Sequence, residues 1–235
     1  MNLDENLQIK DLALWLKKQK TLIIADLHLG YENCMQKSGY MLPWFQYAEI
    51  KAKLQKIIPA NVEKIIINGD LKHEFGQIPQ QEWDEVKGMI DFLRTYTEDL
   101  ILIKGNHDSI LSPIARHKKV ELEPKGLLID SYFITHGHKL FEIPKEAKTI
   151  IIGHEHPAVS ISDGISRELC KCFLKGTYNK KTLIVQPSLC TASEGSDILS
   201  EKTLSPYLKN ISNFDVFVAA DKTRHFGKVS GLRET

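Results

Sequence analysis

The stretch TLIIADLHLGYE, Thr21–Glu32, decides how the rest of the chain is read. A short apolar run ends at Asp26, one residue separates it from His28, and Gly30 follows. Such a run suits a fully buried strand, and open α/β sheets place their ligands beyond the carboxyl ends of such strands. On a continuing strand, Asp26 and His28 would leave on the same face. A carboxylate and an imidazole offered together can begin a metal site. Alone, Asp-x-His is weak evidence of ligation, outweighed by capping or ordinary loop polarity, so the decision falls to the neighbouring segments.

Working outward, the same device recurs. Ile65–Ile67 delivers Asn68-Gly69-Asp70, and Leu100–Lys104 delivers Gly105-Asn106-His107-Asp108. Between these runs the spacing predicts a short helix over Tyr31–Gly39 and a longer one in WFQYAEIKAKLQKII. The longer one opens after Pro43, has Phe45, Ala48, Ala52 and Ile58 near one face, and ends at Pro59. A third helix is predicted over roughly Pro79–Thr97. Upstream, Asp11–Leu16 and Thr21–Ala25 flank a lysine-rich turn and read as strand, turn, strand. The order β-α-β-α-β argues for parallel strands with crossover helices.

Beyond Asp108 short β-like runs dominate: Val120–Leu122, Gly126–Ile129, Ser131–Thr135, Thr149–Ile152, Leu169–Leu174, Thr182–Val185 and Phe214–Ala219. Gly and Pro punctuate them. Leu189–Asn213 is polar and reads as a long surface excursion. The expectation is one α/β domain over residues 1–235, with two packed mixed β-sheets flanked by helices.

A chain of 235 residues can bury a sizeable core, and 42% hydrophobic with 26% charged residues is ordinary for a globular protein. The formal net charge of +1 gives no global basic field to advertise nucleic acid. Cys34, Cys170, Cys172 and Cys190 form no disulfide framework, and Cys170-x-Cys172 has no second pair for zinc. On an alternating strand those two would simply share a face. Reduced thiols, the lack of a signal-peptide pattern and the lack of a membrane-length apolar run together lead us to expect a soluble, cytoplasmic protein.

Five segments carry metal-competent side chains: Asp26-x-His28, Gly69-Asp70, Gly105-Asn106-His107-Asp108, His136-Gly137-His138 and Gly153-His154-Glu155-His156. Each follows an apolar or nearly apolar run, and glycine beside a ligand lets the backbone turn sharply or lets a ligand approach closely. Any one of the nine histidines is more simply structural, and His117 and His225 read that way. Five such segments in series do not.

Taken in order, these motifs resemble the calcineurin-like metallophosphoesterases, whose pattern is D-x-H, G-D, G-N-H-[DE], H and G-H-x-H. The match spans Asp26–His156. The phrases IADLHLGYE, NGDLKHEFG and GHEHPA are similar to the archaeal branch related to the SbcD nuclease, with a bacterial relative encoded beside DNA ligases or helicases. The resemblance implies a four-layer sandwich of two sheets between helices. SbcD-like nucleases carry an additional domain that captures DNA, which is not expected here because the residues after His156 suffice only to complete the sandwich. The resemblance also implies that Asp26, His28 and His156 hold one metal, that Asn106, His136 and His154 hold another, and that Asp70 bridges them. Water held between two such cations becomes a nucleophile near neutral pH. His107 would face the phosphate, steadying charge or protonating the leaving oxygen.

Some positions stay open. Asp108 either orients His107 or caps the next helix, and His138 competes with His136 as ligand. His73 either contacts substrate or belongs to a surface loop. Lys72 and Arg116 either approach the phosphate or are solvated charges, and Tyr31, Lys37 and Lys175 are candidate strand contacts. Carboxylate, amide and imidazole donors without thiolate suit two divalent ions, Mn²⁺ first, with Fe, Co, Ni or Zn accommodated. The expected activity is a phosphodiesterase, with single-stranded or flexible DNA as a candidate substrate because little charge is present to hold duplex. The alternatives are a phosphomonoesterase, such as a nucleotidase or protein phosphatase, and a binding scaffold that has lost its chemistry.

Overall fold

In the computed structural model, residues 1–41, 43–75, 79–162, 164, 166–220 and 222–233 are described. Strand β2 (Ala13–Leu16) pairs antiparallel with both β1 (Leu7–Lys10) and β3 (Thr21–Ile24). From β3 the sheet continues in parallel through β4 (Lys64–Asn68), β5 (Asp99–Ile103) and β6 (Glu121–Glu123). Ile24 pairs with Ile67 and Ile67 with Leu102, so β3, β4 and β5 end nearly level. That register brings three of the polar motifs to one edge.

Helices α1 (Tyr31–Lys37), α2 (Gln46–Ile57), α3 (Gln80–Arg94) and α4 (Ser112–Lys118) lie among these strands in sequence. The buried face of α2 is Gln46, Ile50, Leu54 and Ile57, not the Phe45–Ala48–Ala52–Ile58 face read from the sequence. Its branched aliphatics take the core, and both alanines are exposed. On α3, Val86, Met89, Ile90 and Leu93 recur at helical spacing and pack with Leu22, Ile24, Ile65, Ile67, Leu100 and Leu102.

The second sheet contains β7 (Leu127–Ile129), β8 (Tyr132–Ile134), β9 (Thr149–Ile152), β10 (Pro157–Ser162) and β11 (Arg167–Tyr178). It is completed by β12 (Lys181–Val185), β13 (Ser196–Asp197), β14 (Asp215–Val218) and β15 (Arg224–Lys228), and helix α5 (Val229–Arg233) follows. The strand order is β13-β10-β11-β12-β9-β8-β7, with β14 on β11 and β15 on β14. Strands β8, β9 and β12 are parallel.

The two sheets meet face to face. Ile23, Ile66 and Ile101 from the first interlock with Ile134, Ile151, Phe173 and Ile184 from the second. Residues one position away point to the outer layers, as the two-residue strand period requires. The result is the expected α/β architecture of two mixed sheets flanked by helices.

One reading is overturned. Leu189–Asn213 is not a surface excursion, because Leu189, Cys190, Ile198, Tyr207, Leu208 and Ile211 are all buried. The last four pack on the outer face of the second sheet against Ile150, Ile152, Leu183 and Val185. Irregular chain together with the short α5 therefore forms the layer where longer helices were expected. Cys170 and Cys172 both belong to that cluster, and all four cysteines are free thiols. No described helix is long and apolar enough to cross a membrane.

Candidate metal centre

The loops after β3, β4, β5, β8 and β9 converge where the carboxyl ends of the two sheets meet. Main-chain bonds tie them together. Asp26 N donates to Gly69 O at 3.1 Å, His28 N to Asp70 O at 2.9 Å and Gly153 N to His136 O at 3.0 Å. His154 N donates to Asp26 Oδ2 at 3.0 Å, which joins the two sheets across the centre. From the loop after β12, Ser188 Oγ donates to Asp26 O at 2.6 Å.

These ties hold an unusual backbone. Asp26, His28, Asp70, His154 and His156 all have positive φ, between 46° and 65°. Such φ values are uncommon outside glycine, and they persist where surrounding structure over-determines them, often at functional sites. The strand reading of Asp26-x-His28 is corrected here: β3 stops at Ile24, and the two side chains converge by left-handed turning rather than by strand pleat. Two glycines make room. A Cβ on Gly69 would lie 1.9 Å from His136 Nδ1, and one on Gly105 would lie 2.0 Å from Asp70 Oδ1.

Two groups of donors form. Asp26, His28 and His156 offer ligand atoms mutually within 4.8 Å, and so do Asp70, His136 and His154. The nitrogens His28 Nε2 and His156 Nε2 face each other at 3.3 Å. Asn106 Oδ1 is 3.1 Å from His136 Nε2. Asp70 Oδ2 stands between the groups, 3.3 Å from His136 Nε2 and 3.8 Å from His28 Nε2. A third trio, His28, His73 and His107, shares His28 with the first group. His28, Asp70, Asn106, His107, His154 and His156 line a cleft of about 240 Å³, together with Glu155, Ser196 and Leu204.

The calcineurin-like phosphoesterase family model matches residues 19–184, a span that contains every one of these donors. The chain belongs to the calcineurin-like phosphoesterases. It is accordingly a metal-dependent phosphoester hydrolase by family. Among solved structures, the nuclease MPE of Pseudomonas putida is similar at TM-score 0.67 and 17% identity, covering 94% of each chain. The E. coli phosphoesterase Yfce aligns at TM-score 0.44 and 15% identity, over 88% of this chain and 97% of that one. At 17% identity the likeness to the nuclease MPE is one of fold. Comparison with curated proteins gave no match.

The donors of this calcineurin-like phosphoesterase fit divalent cations. Asp26 Oδ1 is buried and accepts no hydrogen bond, with His136 Nδ1 and His156 Nε2 each 3.5 Å away. Burial opposes ionisation of Asp26, yet His156 and His136 hold its carboxyl below the usual range. Burial likewise opposes charge on Asp70, and His136 and His28 outweigh it. Burial presses His136 down, but Asp70, Asp26 and Asp108 hold it up at about 9. Burial and His156 push His28 down to about 3. Two buried carboxylates thus draw positive charge inward: His136 meets it with a proton that a bound cation would displace, while His28 is a neutral imidazole with a lone pair to offer. The nearby Cys190 thiol is occupied, since its Sγ receives Gln46 Nε2 at 3.1 Å.

The remaining expected residues divide. His73 and His107 join the cluster. His138 is half-buried behind His136, with ring centroids 5.1 Å apart, and burial together with His136 lowers it to about 4. Asp108 orients loops rather than the His107 ring. Its Oδ2 receives Gly105 N at 2.9 Å and its Oδ1 receives Lys72 N at 3.5 Å. Burial and Asp70 raise its carboxyl to about 6. Arg116 sits exposed on α4, outside the residues lining the cleft, so it is not brought to a phosphate. Lys72 is fully buried with its ammonium on Glu74 O, neither solvated nor in the cleft. Lys175 is spent on Leu3 O at 2.7 Å, and Lys37 lies 3.9 Å from Glu74.

The sequence reading missed several supports. Gln46 Nε2 donates to Leu27 O at 2.9 Å and His28 O at 3.0 Å, bracing the first motif from α2. Glu82 Oε1 on α3 accepts His73 N and Glu74 N. Glu155, the variable position of Gly-His-x-His, accepts Leu204 N and Ser205 N through Oε2, both at 2.9 Å. Gln and Glu on helices carry no local signature of such roles. A larger cavity, about 800 Å³, lies elsewhere, among Asp11, Lys53, Glu168 and Lys171. Its lysines are satisfied, Lys53 by Asp11 at 3.0 Å and Lys171 by the Ser188 and Cys190 carbonyls.

Proposed function

We propose that the chain is a two-metal phosphodiesterase, Mn²⁺-loaded, that cleaves flexible or single-stranded DNA. The observation that carries this reading is the position of Asp70 Oδ2 between the two donor groups. Asp26, His28 and His156 would hold one ion and Asn106, His136 and His154 the other, with Asp70 available to both. Ions at these positions supply an activated water and neutralise charge on the phosphoryl oxygens.

The chain itself contributes orientation and a proton. The carbonyl of His73 can only accept, so His107 Nδ1 carries a hydrogen and donates to it. That bond leaves His107 Nε2 to face the leaving oxygen, and a proton delivered from there comes from the imidazolium, which returns to the neutral Nδ1–H tautomer. His28 Nδ1 meets His73 Nδ1 at 3.2 Å. With His28 Nε2 serving as a ligand, His28 Nδ1 donates and His73 Nδ1 accepts, which fixes both tautomers.

Charge favours a diester. Among the described residues lining the cleft there is no Lys or Arg to balance a dianionic monoester, whereas a diester brings one negative charge. Mn²⁺ suits the mixed carboxylate, amide and imidazole set. A net charge of +1 favours a substrate whose bases are accessible over a duplex held by its phosphates. The test is parallel hydrolysis of bis-p-nitrophenyl phosphate and p-nitrophenyl phosphate by Mn²⁺-loaded protein. The diester should be preferred in kcat/KM by tenfold or more; a preference for the monoester would move the assignment to a phosphatase.

A further inference from the structure

From His107, which lines the cleft, a series of four rings runs outward with Tyr31, His73 and Phe75. Tyr31 meets His73 edge-on, with centroids 4.8 Å apart. His73 stacks on His107 at 5.1 Å and 24°, and Phe75 lies on His107 at 3.7 Å and 34°. The series begins beside His28, whose ring centroid is 5.2 Å from that of His73 and 4.8 Å from that of His107.

Phe75 is the outermost ring. It is 55% exposed even though it rests on His107, so the surface it offers is the face turned away from the imidazole. The segment His73–Phe75 is held by hydrogen bonds, two of them to the Phe75 backbone itself. Glu82 grips the amides of His73 and Glu74, Phe75 N donates to Glu74 Oε1 at 3.1 Å, and Ser109 Oγ donates to Phe75 O at 3.2 Å. A large apolar ring kept exposed on a braced loop, next to the imidazole that serves the leaving oxygen, needs a partner with a flat apolar face.

We infer that Phe75 is a base-stacking platform, which makes the substrate a base-bearing phosphodiester whose leaving-side nucleobase lies on the Phe75 ring. The inference rests on the phosphodiesterase reading above and names its substrate class. A nucleobase lies one sugar away from its phosphate, so a phosphate beside His107 carries its neighbouring base towards the outer face of Phe75. Stacking also answers the charge problem. With a formal net charge of +1 the chain gains little from phosphate contacts, and base–aromatic stacking supplies sequence-tolerant affinity instead. Duplex DNA hides the base faces, so the platform selects single strands or strand ends.

The experiment compares oligo(dT) with an oligomer of equal length built from tetrahydrofuran abasic units, which keeps the phosphodiesters and lacks the bases. Wild-type protein with Mn²⁺ should favour oligo(dT) in kcat/KM by roughly 5- to 150-fold, the range expected from one stacked base. Phe75→Ala should erase that preference and Phe75→Trp should restore it. The emission added by Phe75→Trp, read in chelator where nothing turns over, should be quenched by oligo(dT) and not by the abasic oligomer. Equal rates on both oligomers in wild type and Phe75→Ala, with no selective quenching, would overturn the inference. If no diester is hydrolysed but selective quenching is seen, the platform stands and the phosphodiesterase reading fails.

Discussion

His107 Nδ1 is held by the main-chain carbonyl of His73, so the ring is aimed by backbone rather than by the neighbouring Asp108 carboxylate. His107→Ala should therefore keep its bound ions and lose turnover by about 10²–10⁴-fold, the usual worth of a placed general acid. Metal content by mass spectrometry, beside kcat, checks this. Loss of an ion would make His107 a ligand instead.

Gly105 differs from most glycines here in that its backbone is ordinary and its side is crowded. A Cβ would lie 2.0 Å from Asp70 Oδ1 and 2.5 Å from Asp70 N. Gly105→Ala should displace Asp70 and abolish metal binding. Gly39→Ala, at φ +93 with nothing within 4 Å, should cost only the left-handed strain of about 1–2 kcal/mol and leave metal content alone. Equal metal content in both variants would refute the crowding argument.

Ser188 is buried and donates to Asp26 O at 2.6 Å while accepting Cys190 N at 3.0 Å. Removing the hydroxyl leaves these two groups only the bond from Cys190 N to Asp26 O at 3.2 Å. Ser188→Ala should cost about 0.5–1.5 kcal/mol, the net worth of a hydrogen bond, read as a shifted denaturant midpoint. Since Asp26 sits in a left-handed turn, metal affinity should fall as well. An unchanged midpoint would mean that the loop holds Asp26 without Ser188.

Lys171 offers a pH test. Burial and Lys53 lower its ammonium from 10.5 to about 8, against the pull of Cys190, Asp26 and Asp11. Between those values the unfolded chain binds the extra proton, so this group makes stability rise as pH climbs from about 8 to 10.5. The span corresponds to about 3 kcal/mol. Urea midpoints across that range should climb in wild type relative to Lys171→Met; parallel curves would show that Lys171 does not titrate there.

The five ligand segments were legible because each sets a metal-competent side chain beside glycine at the end of an apolar run, and parallel register brings such ends together. The manner of convergence was not legible. Positive φ at Asp26, His28, Asp70, His154 and His156 depends on cross-sheet bonds such as His154 N to Asp26 Oδ2, which join residues 128 positions apart. β1, β10 and β15 escaped because mixed, half-polar strands lack an apolar run. The layer built by Ile198, Tyr207 and Ile211 escaped because its apolar residues follow neither a helical nor a strand period. Phe75 has no signature of its own in the sequence, because its exposure and its place on the His107 ring arise only in the fold.

The most direct test is to count the Mn²⁺ ions bound by Asp70→Ala and by wild type after chelator stripping and reloading, with hydrolysis of bis-p-nitrophenyl phosphate measured on the same samples. A shared Asp70 predicts two ions and activity in wild type, and neither ion nor activity in Asp70→Ala. Two ions retained with full hydrolysis in the variant would contradict the account.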